Sequence, residues 1–283
     1  MRNSSAANGA MAAAVSDQQQ QAKRSGLKTR VLSAAVMLPV AVAAVWFGGW
    51  AFAALVVVAA VAMLWEWLRL PGRYAHDKMF AGGFGLLASL YFAMDGRFDW
   101  ALTIVFSGAL VLGVRSSRHF LWHAAGFLYI GLPCLALLWL RNQPEHGLQV
   151  VFWLMVIVWA TDIGAYFAGR TIGGPKLIPS ISPNKTWAGL IGGMICAAIA
   201  SAIMVSMEPG LPVLALAILG AVLAVVAQAG DFTESAVKRH FKVKDASNLI
   251  PGHGGVLDRV DGLLFAAPTA ALILLYWRDR LWP

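Results

Sequence analysis

Long apolar runs separated by short polar breaks set the pattern of this chain from about residue 31 onward. Val31 to Trp46, Ala51 to Trp65, Ala101 to Val114, Val151 to Ala160 and Leu211 to Ala229 are nearly free of charge. Runs of this kind match the roughly 20 residues that span a ~30 Å hydrocarbon core. Only helices and closed barrels satisfy all backbone groups in lipid. A barrel needs segments of about ten residues alternating apolar and polar, whereas these runs are continuously apolar. The pattern therefore predicts an all-α, polytopic transmembrane bundle of about nine spans: 31–47, 51–68, 79–94, 101–114, 120–140, 148–168, 187–206, 211–229 and 263–277. The first two are split at Gly48 and Gly49, since one bent segment would leave too many apolar residues for a single crossing.

Composition agrees with this reading. The 283 residues are 59% hydrophobic and 13% charged, against about 45–50% and about 25% in soluble domains. Cys134 and Cys196 fall in apolar runs without paired spacing, and are expected to be small buried hydrophobes. Residues 1–30, rich in Ala, Ser and Gln, are expected to form a disordered polar cytoplasmic tail. Because Lys23, Arg24, Lys28 and Arg30 abut a full-length apolar run, the first helix is read as an uncleaved span.

Nine spans with a cytoplasmic N-terminus place all of the 22 Lys and Arg residues except Arg97, Arg141, Arg278 and Arg280 on the cytoplasmic side, the bias that membrane topology requires. The protein is accordingly expected in the inner, cytoplasmic membrane. The net charge of +8 then reflects topology and attraction to anionic lipids, and no nucleic-acid partner is expected. No internal repeat is visible, and the polar content lies toward the C-terminus. The expected organisation is the tail, N-terminal transmembrane helices over 31–147, and a C-terminal catalytic region over 148–283 with cytoplasmic loops at 169–186 and 230–262.

Those loops carry the chemistry. If the eighth helix continues, Asp231, Ser235 and Lys238 share one face at i, i+4 and i+7, where a carboxylate, a hydroxyl and an ammonium can meet a cation and phosphates. A solvated helix end with ordinary salt bridges is the plain alternative. Pro251 to Gly262 adds His253, Gly254 and Gly255 ahead of Asp258, Arg259 and Asp261. Glycines allow close approach to a ligand, and amides opening a helix bind anions. The two Asp residues are hard oxygen ligands suited to Mg²⁺ beside substrate phosphates. Zinc does not fit a lone His253 with no Cys nearby. Ser182, Lys185 and Thr186 could contact phosphate or ribose, although Asn184 and Thr186 could equally be helix caps. Asp162 sits inside the sixth run, where a charge is costly and therefore a functional candidate. Glu66 is expected to pair locally with Arg69, and His123 to be a packing or interface residue.

The segment Ser235 to Asp261, SAVKRHFKVKDASNLIPGHGGVLDRVD, resembles the signature of the phosphatidate cytidylyltransferases, the CDP-diacylglycerol synthases. The likeness extends to Asp162-Ile163-Gly164-Ala165-Tyr166 and Ser182-Pro183-Asn184-Lys185-Thr186, so it covers the chain from about residue 150. Family members commonly carry a basic residue where Asn184 stands. The resemblance implies about nine transmembrane helices, a homodimer, dependence on Mg²⁺ with a monovalent cation such as K⁺ alongside, and transfer of the cytidylyl group of CTP to phosphatidic acid. Asp231, Ser235, Lys238, Arg239, Asp258 and Asp261 match family positions tied to activity. Read by their chemistry, metal at Asp231, Asp258 and Asp261, with Lys185, Lys238, Arg239 and Arg259 on phosphate oxygens, would neutralise the two anionic substrates.

General chemistry is consistent with this. A phosphate monoester has a second pKa of about 6, so phosphatidate needs no general base, and phosphoryl-type transfer is mostly positioning and charge neutralisation. A transporter, a CTP-using lipid kinase and a CDP-alcohol phosphotransferase are the competing readings. The last carries a different Asp-rich motif that is not found in this sequence.

Overall fold

The computed structural model describes residues 28–71, 76–115 and 119–282, and every regular element among them is a helix. In chain order these are α1 Lys28–Phe47, then α2 Gly49–Arg69, α3 His76–Met94, α4 Phe98–Val114, α5 Phe120–Arg141, α6 Gly147–Thr171, α7 Trp187–Ser206, α8 Val213–His240 and α9 Leu257–Leu281. Of the expected disordered tail, residues 28–30 open α1, and the rest lies outside the described residues. Seven helices, α1, α2 and α5 to α9, are long and apolar enough to cross a membrane. The helix α4 has 17 residues, about 25 Å at 1.5 Å per residue, and α3 opens on the polar His76, Asp77 and Lys78.

The break at Gly48 and Gly49 is real: both have positive φ, 63° and 48°, which glycine adopts without penalty. The last carbonyls of α1 are met by Arg141 at the end of α5, whose Nε and Nη2 donate to Val45 (2.7 Å) and Trp46 (3.1 Å).

Two expected loops are shorter than their sequences suggest. The helix α8 runs past Gly230 to His240, and α9 begins at Leu257, so the loop expected over 230–262 contracts to 241–256. Lys238, Arg239 and His240 close α8 and Asp258 opens α9, each with the charge that complements the helix dipole at that end. Likewise α6 continues to Thr171, leaving 172–186 before α7.

From α2 to α9 consecutive helices pack side by side, and α5 joins the halves by packing on both α2 and α9. The α6/α7 contact is built on small residues: a Cβ added at Gly164 would lie 2.6 Å from Cys196, and one at Gly193 3.0 Å from the Thr161 carbonyl. Such residues let helices approach closely in lipid. A buried polar chain crosses α6, α7 and α8, with Trp153 Nε1 donating to Ser201 Oγ (2.7 Å) and that hydroxyl to the Leu216 carbonyl (2.8 Å).

Contacts between helix ends sort the bundle into two polar faces. One gathers the starts of α1, α5 and α9 with the ends of α2 and α8, through Ser33 with His253, Glu66 with Leu257, Trp67 with Trp122, and Trp122 with His240. The other gathers the ends of α1, α5 and α9, through Arg141 with Val45 and Arg278 with Gln143.

Candidate active site

The extension of α8 places Asp231, Glu234, Ser235 and Lys238 on one helix face, as i, i+3, i+4 and i+7 demand. The helix α9 crosses it closely because both carry glycine there: a Cβ at Gly230 would lie 2.5 Å from the Asp261 carbonyl, and one at Gly262 3.4 Å from Ala227. The crossing brings Asp231 and Glu234 of α8 and Asp261 of α9 together, with one carboxylate oxygen of each within 4.8 Å of the others. Ser235 Oγ donates to Asp231 Oδ1 at 3.3 Å, and the Asp261 Oδ1 accepts the Gly262 amide at 2.8 Å.

Glu234 is the residue that sequence reasoning passed over. Its spacing to Asp231 and Lys238 placed it on the same face, and this was the available signal. Glu234 is buried; its Oε1 has no hydrogen-bond partner among the described residues, while Oε2 lies 2.6 Å from Lys238 Nζ. Tyr129 of α5 also contributes, its hydroxyl buried with no hydrogen-bond partner among the described residues and within electrostatic reach of Glu234, Asp261 and Asp231.

Asp258, expected beside Asp261 as a metal ligand, has its oxygens engaged elsewhere. Oδ1 accepts from Lys238 (2.6 Å), and Oδ2 from the amides of Ala246 (3.0 Å) and Gly255 (2.8 Å). Three residues apart on a helix, Asp258 and Asp261 differ by about 60° around the axis and about 4.5 Å along it; Asp258, in the first turn, reaches Lys238 and the loop amides, while Asp261, one turn on, meets Asp231 and Glu234. Lys238, expected on phosphate, is held between Glu234 and Asp258 with a side chain only 12% exposed.

The expected phosphate cradle at His253, Gly254 and Gly255 is likewise occupied by the protein itself. The Gly255 amide goes to Asp258, and those of Val256 and Leu257 go to Glu66, both at 2.8 Å. His253 Nδ1 is 2.7 Å from Ser33 Oγ. Gly254 supplies positive φ at 89°, and a Cβ there would lie 2.9 Å from Asp258 Oδ2.

The other loop folds back on itself, the Leu177 amide donating to the Lys185 carbonyl (3.1 Å) and the Trp187 amide to that of Pro175 (3.1 Å). This carries the Lys185 ammonium into an ion pair with Asp231 and to 4.2 Å from the centre of the Phe232 ring. Thr186 caps α7 by accepting the Gly189 amide at 3.0 Å, while Ser182 is half-buried. Arg259 and Arg239 are exposed, the latter donating to the Val243 carbonyl at 3.1 Å. Asp162 on α6 is exposed and within electrostatic reach of Asp231, Lys185, Arg259 and Asp261.

The expected Glu66–Arg69 pair does not form. Arg69 lies over the Trp65 ring at 4.3 Å, and Glu66 is directed to the start of α9. His123 is a buried packing residue with Nδ1 3.0 Å from the His119 carbonyl.

Fold and site together define a polytopic membrane protein with an acidic cluster, flanked by cations, near one end of its helix bundle. The chain belongs to the cytidylyltransferase family, whose model matches residues 28–277. It is 38% identical over 262 residues to the phosphatidate cytidylyltransferase of Brucella suis, covering 89% of this chain and 93% of that relative. It is 38% identical over 271 residues to the one from Pseudomonas aeruginosa (88% and 97% covered). Identity to that of Bacillus subtilis is 37% over 221 residues (75% and 76% covered). The match reaches well into the N-terminal half, where the resemblance had rested on apolar helices alone.

Proposed function

We infer that this protein transfers the cytidylyl group of CTP to phosphatidic acid, giving CDP-diacylglycerol and pyrophosphate for phospholipid synthesis. The observation that carries the chemistry is the convergence of Asp231, Glu234 and Asp261 from two helices beside the Lys185 cation, in a chain of the cytidylyltransferase family. A phosphatidate oxygen attacks the α-phosphorus of CTP, a new P–O bond forms, and the bond to the β-phosphate oxygen breaks, releasing pyrophosphate. Both substrates are strongly anionic, so the residues must neutralise charge and hold the reacting atoms in line.

Three carboxylates converging on one another, with a buried Glu234 oxygen lacking a hydrogen-bond donor, fit a divalent cation. Asp231, Glu234 and Asp261 would hold Mg²⁺, with a monovalent cation such as K⁺ alongside. Bound there, Mg²⁺ supplies positive charge against the triphosphate oxygens. Lys185, kept at the edge of the cluster by Asp231 and Phe232, meets substrate phosphate there. Arg259 and Arg239, both exposed, add further positive charge. Lys238 and Asp258 tie α8 to α9 and so fix the spacing of the three carboxylates.

Nine spans, an N-terminus and active site facing the cytoplasm, residence in the inner membrane and assembly as a homodimer complete the proposal. The orientation is supported by the bias of Lys and Arg, and by the collection of the carboxylates toward the polar face that takes the starts of α1, α5 and α9. At that face a lipid phosphate at headgroup level and a nucleotide from the cytosol can meet.

Purified protein is to be incubated with phosphatidic acid, Mg²⁺ and each of the four nucleoside triphosphates in turn. Pyrophosphate and a cytidine-linked lipid are expected with CTP. Release of free inorganic phosphate without a nucleotide-linked lipid would refute the assignment.

A further inference from the structure

We infer that Glu66 is a positioning residue for this active site, holding the first turn of α9, and with it Asp258 and Asp261, in register with α8. The inference rests on reading the α8/α9 carboxylates as the reaction's cation site. Glu66 lies in the last turn of α2, whose one other charged residue is Arg69, and is 0% exposed. Its Oε1 accepts from Ser247 Oγ (2.6 Å) and the Val256 amide (2.8 Å), and its Oε2 from the Leu257 amide (2.8 Å). A Cβ at Gly255 would come within 2.6 Å of Oε1, so glycine is what lets the backbone close over the carboxylate.

No cation balances this charge among the described ion pairs. A carboxylate buried in an apolar setting is unfavourable unless donors satisfy it. Here two of the three donors are the orphan amides that open α9, where the helix dipole favours an anion. The next residues lead directly to the site: Asp258 to Lys238, and one turn on, Asp261 to Asp231 and Glu234. Ser33 of α1 grips the same loop at the Pro251 carbonyl (3.0 Å) and His253 (2.7 Å). Ser33 of α1 and Glu66 of α2 thus act on the chemistry through one segment, 247–257, although neither helix contributes a carboxylate to the cluster.

Glu66→Gln tests this with little change of size. An amide must turn its NH₂ toward one of the three donors, and the charge that strengthened the bonds is lost. In folded, detergent-solubilised protein, Mn²⁺ binding read by electron paramagnetic resonance is expected to weaken about 10-fold. On the same grounds of misplacement, kcat should fall about 10- to 100-fold. Raised metal concentration should recover part of the rate, with the KM for CTP moving less than kcat. Ser247→Ala should act in the same direction but more weakly, and should carry the test if Glu66→Gln does not fold. A folded variant with wild-type Mn²⁺ affinity overturns the inference whatever its turnover. If wild-type protein turns over CTP without binding Mn²⁺, the cation reading fails and kcat decides alone. A fall at unchanged KM and unchanged thermal midpoint then supports Glu66 as a positioning residue, and a wild-type kcat refutes it.

Discussion

The Lys238 ammonium lies 2.6 Å from Asp258 Oδ1, joining the last turns of α8 to the first turn of α9. The same ammonium is 2.6 Å from Glu234 Oε2. One half-buried cation therefore spans two carboxylates, and only Glu234 belongs to the acidic cluster. Residues expected to share one task divide into a tether and a cluster.

For the tether, Asp258→Asn should act by misplacing α9. Breaking a buried pair by removing one partner costs about 3–5 kcal/mol, so the thermal midpoint of purified protein should fall measurably along with turnover. Adding Lys238→Met should restore part of the stability, because it removes the stranded cation, but none of the activity. A single variant with wild-type thermal stability would disprove the tether.

Within the cluster, Glu234→Gln and Asp261→Asn each keep size while removing a charge. Loss of one well-placed stabilising group costs about 10²- to 10³-fold in rate, and both variants should lose at least this much with the fold intact. The exposed Asp245 is the control, and Asp245→Asn should stay within a few-fold of wild type. Near-normal CTP turnover by Glu234→Gln at low metal concentration would remove it from the site.

The two cysteines should be dispensable for chemistry. Cys134 is buried and free, and Cys196 is free and packed against Gly164. Changing both to Ala should leave turnover within a few-fold. The glycine is the sensitive partner: Gly164→Leu overpacks the α6/α7 contact, at a cost of about 1–3 kcal/mol or more, and should lower thermal stability. A hundredfold loss of rate in folded double-Ala protein would reveal a thiol role.

In that cysteine-free background, Asn248→Cys and Glu145→Cys test the orientation, since both positions are exposed and lie in different polar breaks. An impermeant thiol reagent should reach Asn248→Cys from the cytoplasmic side alone and Glu145→Cys from the opposite side alone. Labelling of both from one side would exclude the proposed nine-span topology.

Apolar runs make the helices legible, because lipid leaves the backbone almost no alternative. Nearly all the polar groups of the site are visible in the same way, standing out against 59% hydrophobic residues. Helical spacing alone places Asp231, Ser235 and Lys238 on one face. Periodicity within one helix says nothing of what that face meets, however. The division of Asp258 from Asp261, the entry of Glu234 and the 190 positions separating Glu66 from Val256 follow from how α2, α8 and α9 cross. The crossing depends on where Gly230, Gly255 and Gly262 let backbones and side chains approach. Residue order thus determines which segments are helical and lipid-facing and which polar groups are available for chemistry. Helix packing decides which carboxylates face one another, because short-range polar contacts depend on distances that only the assembled helices set.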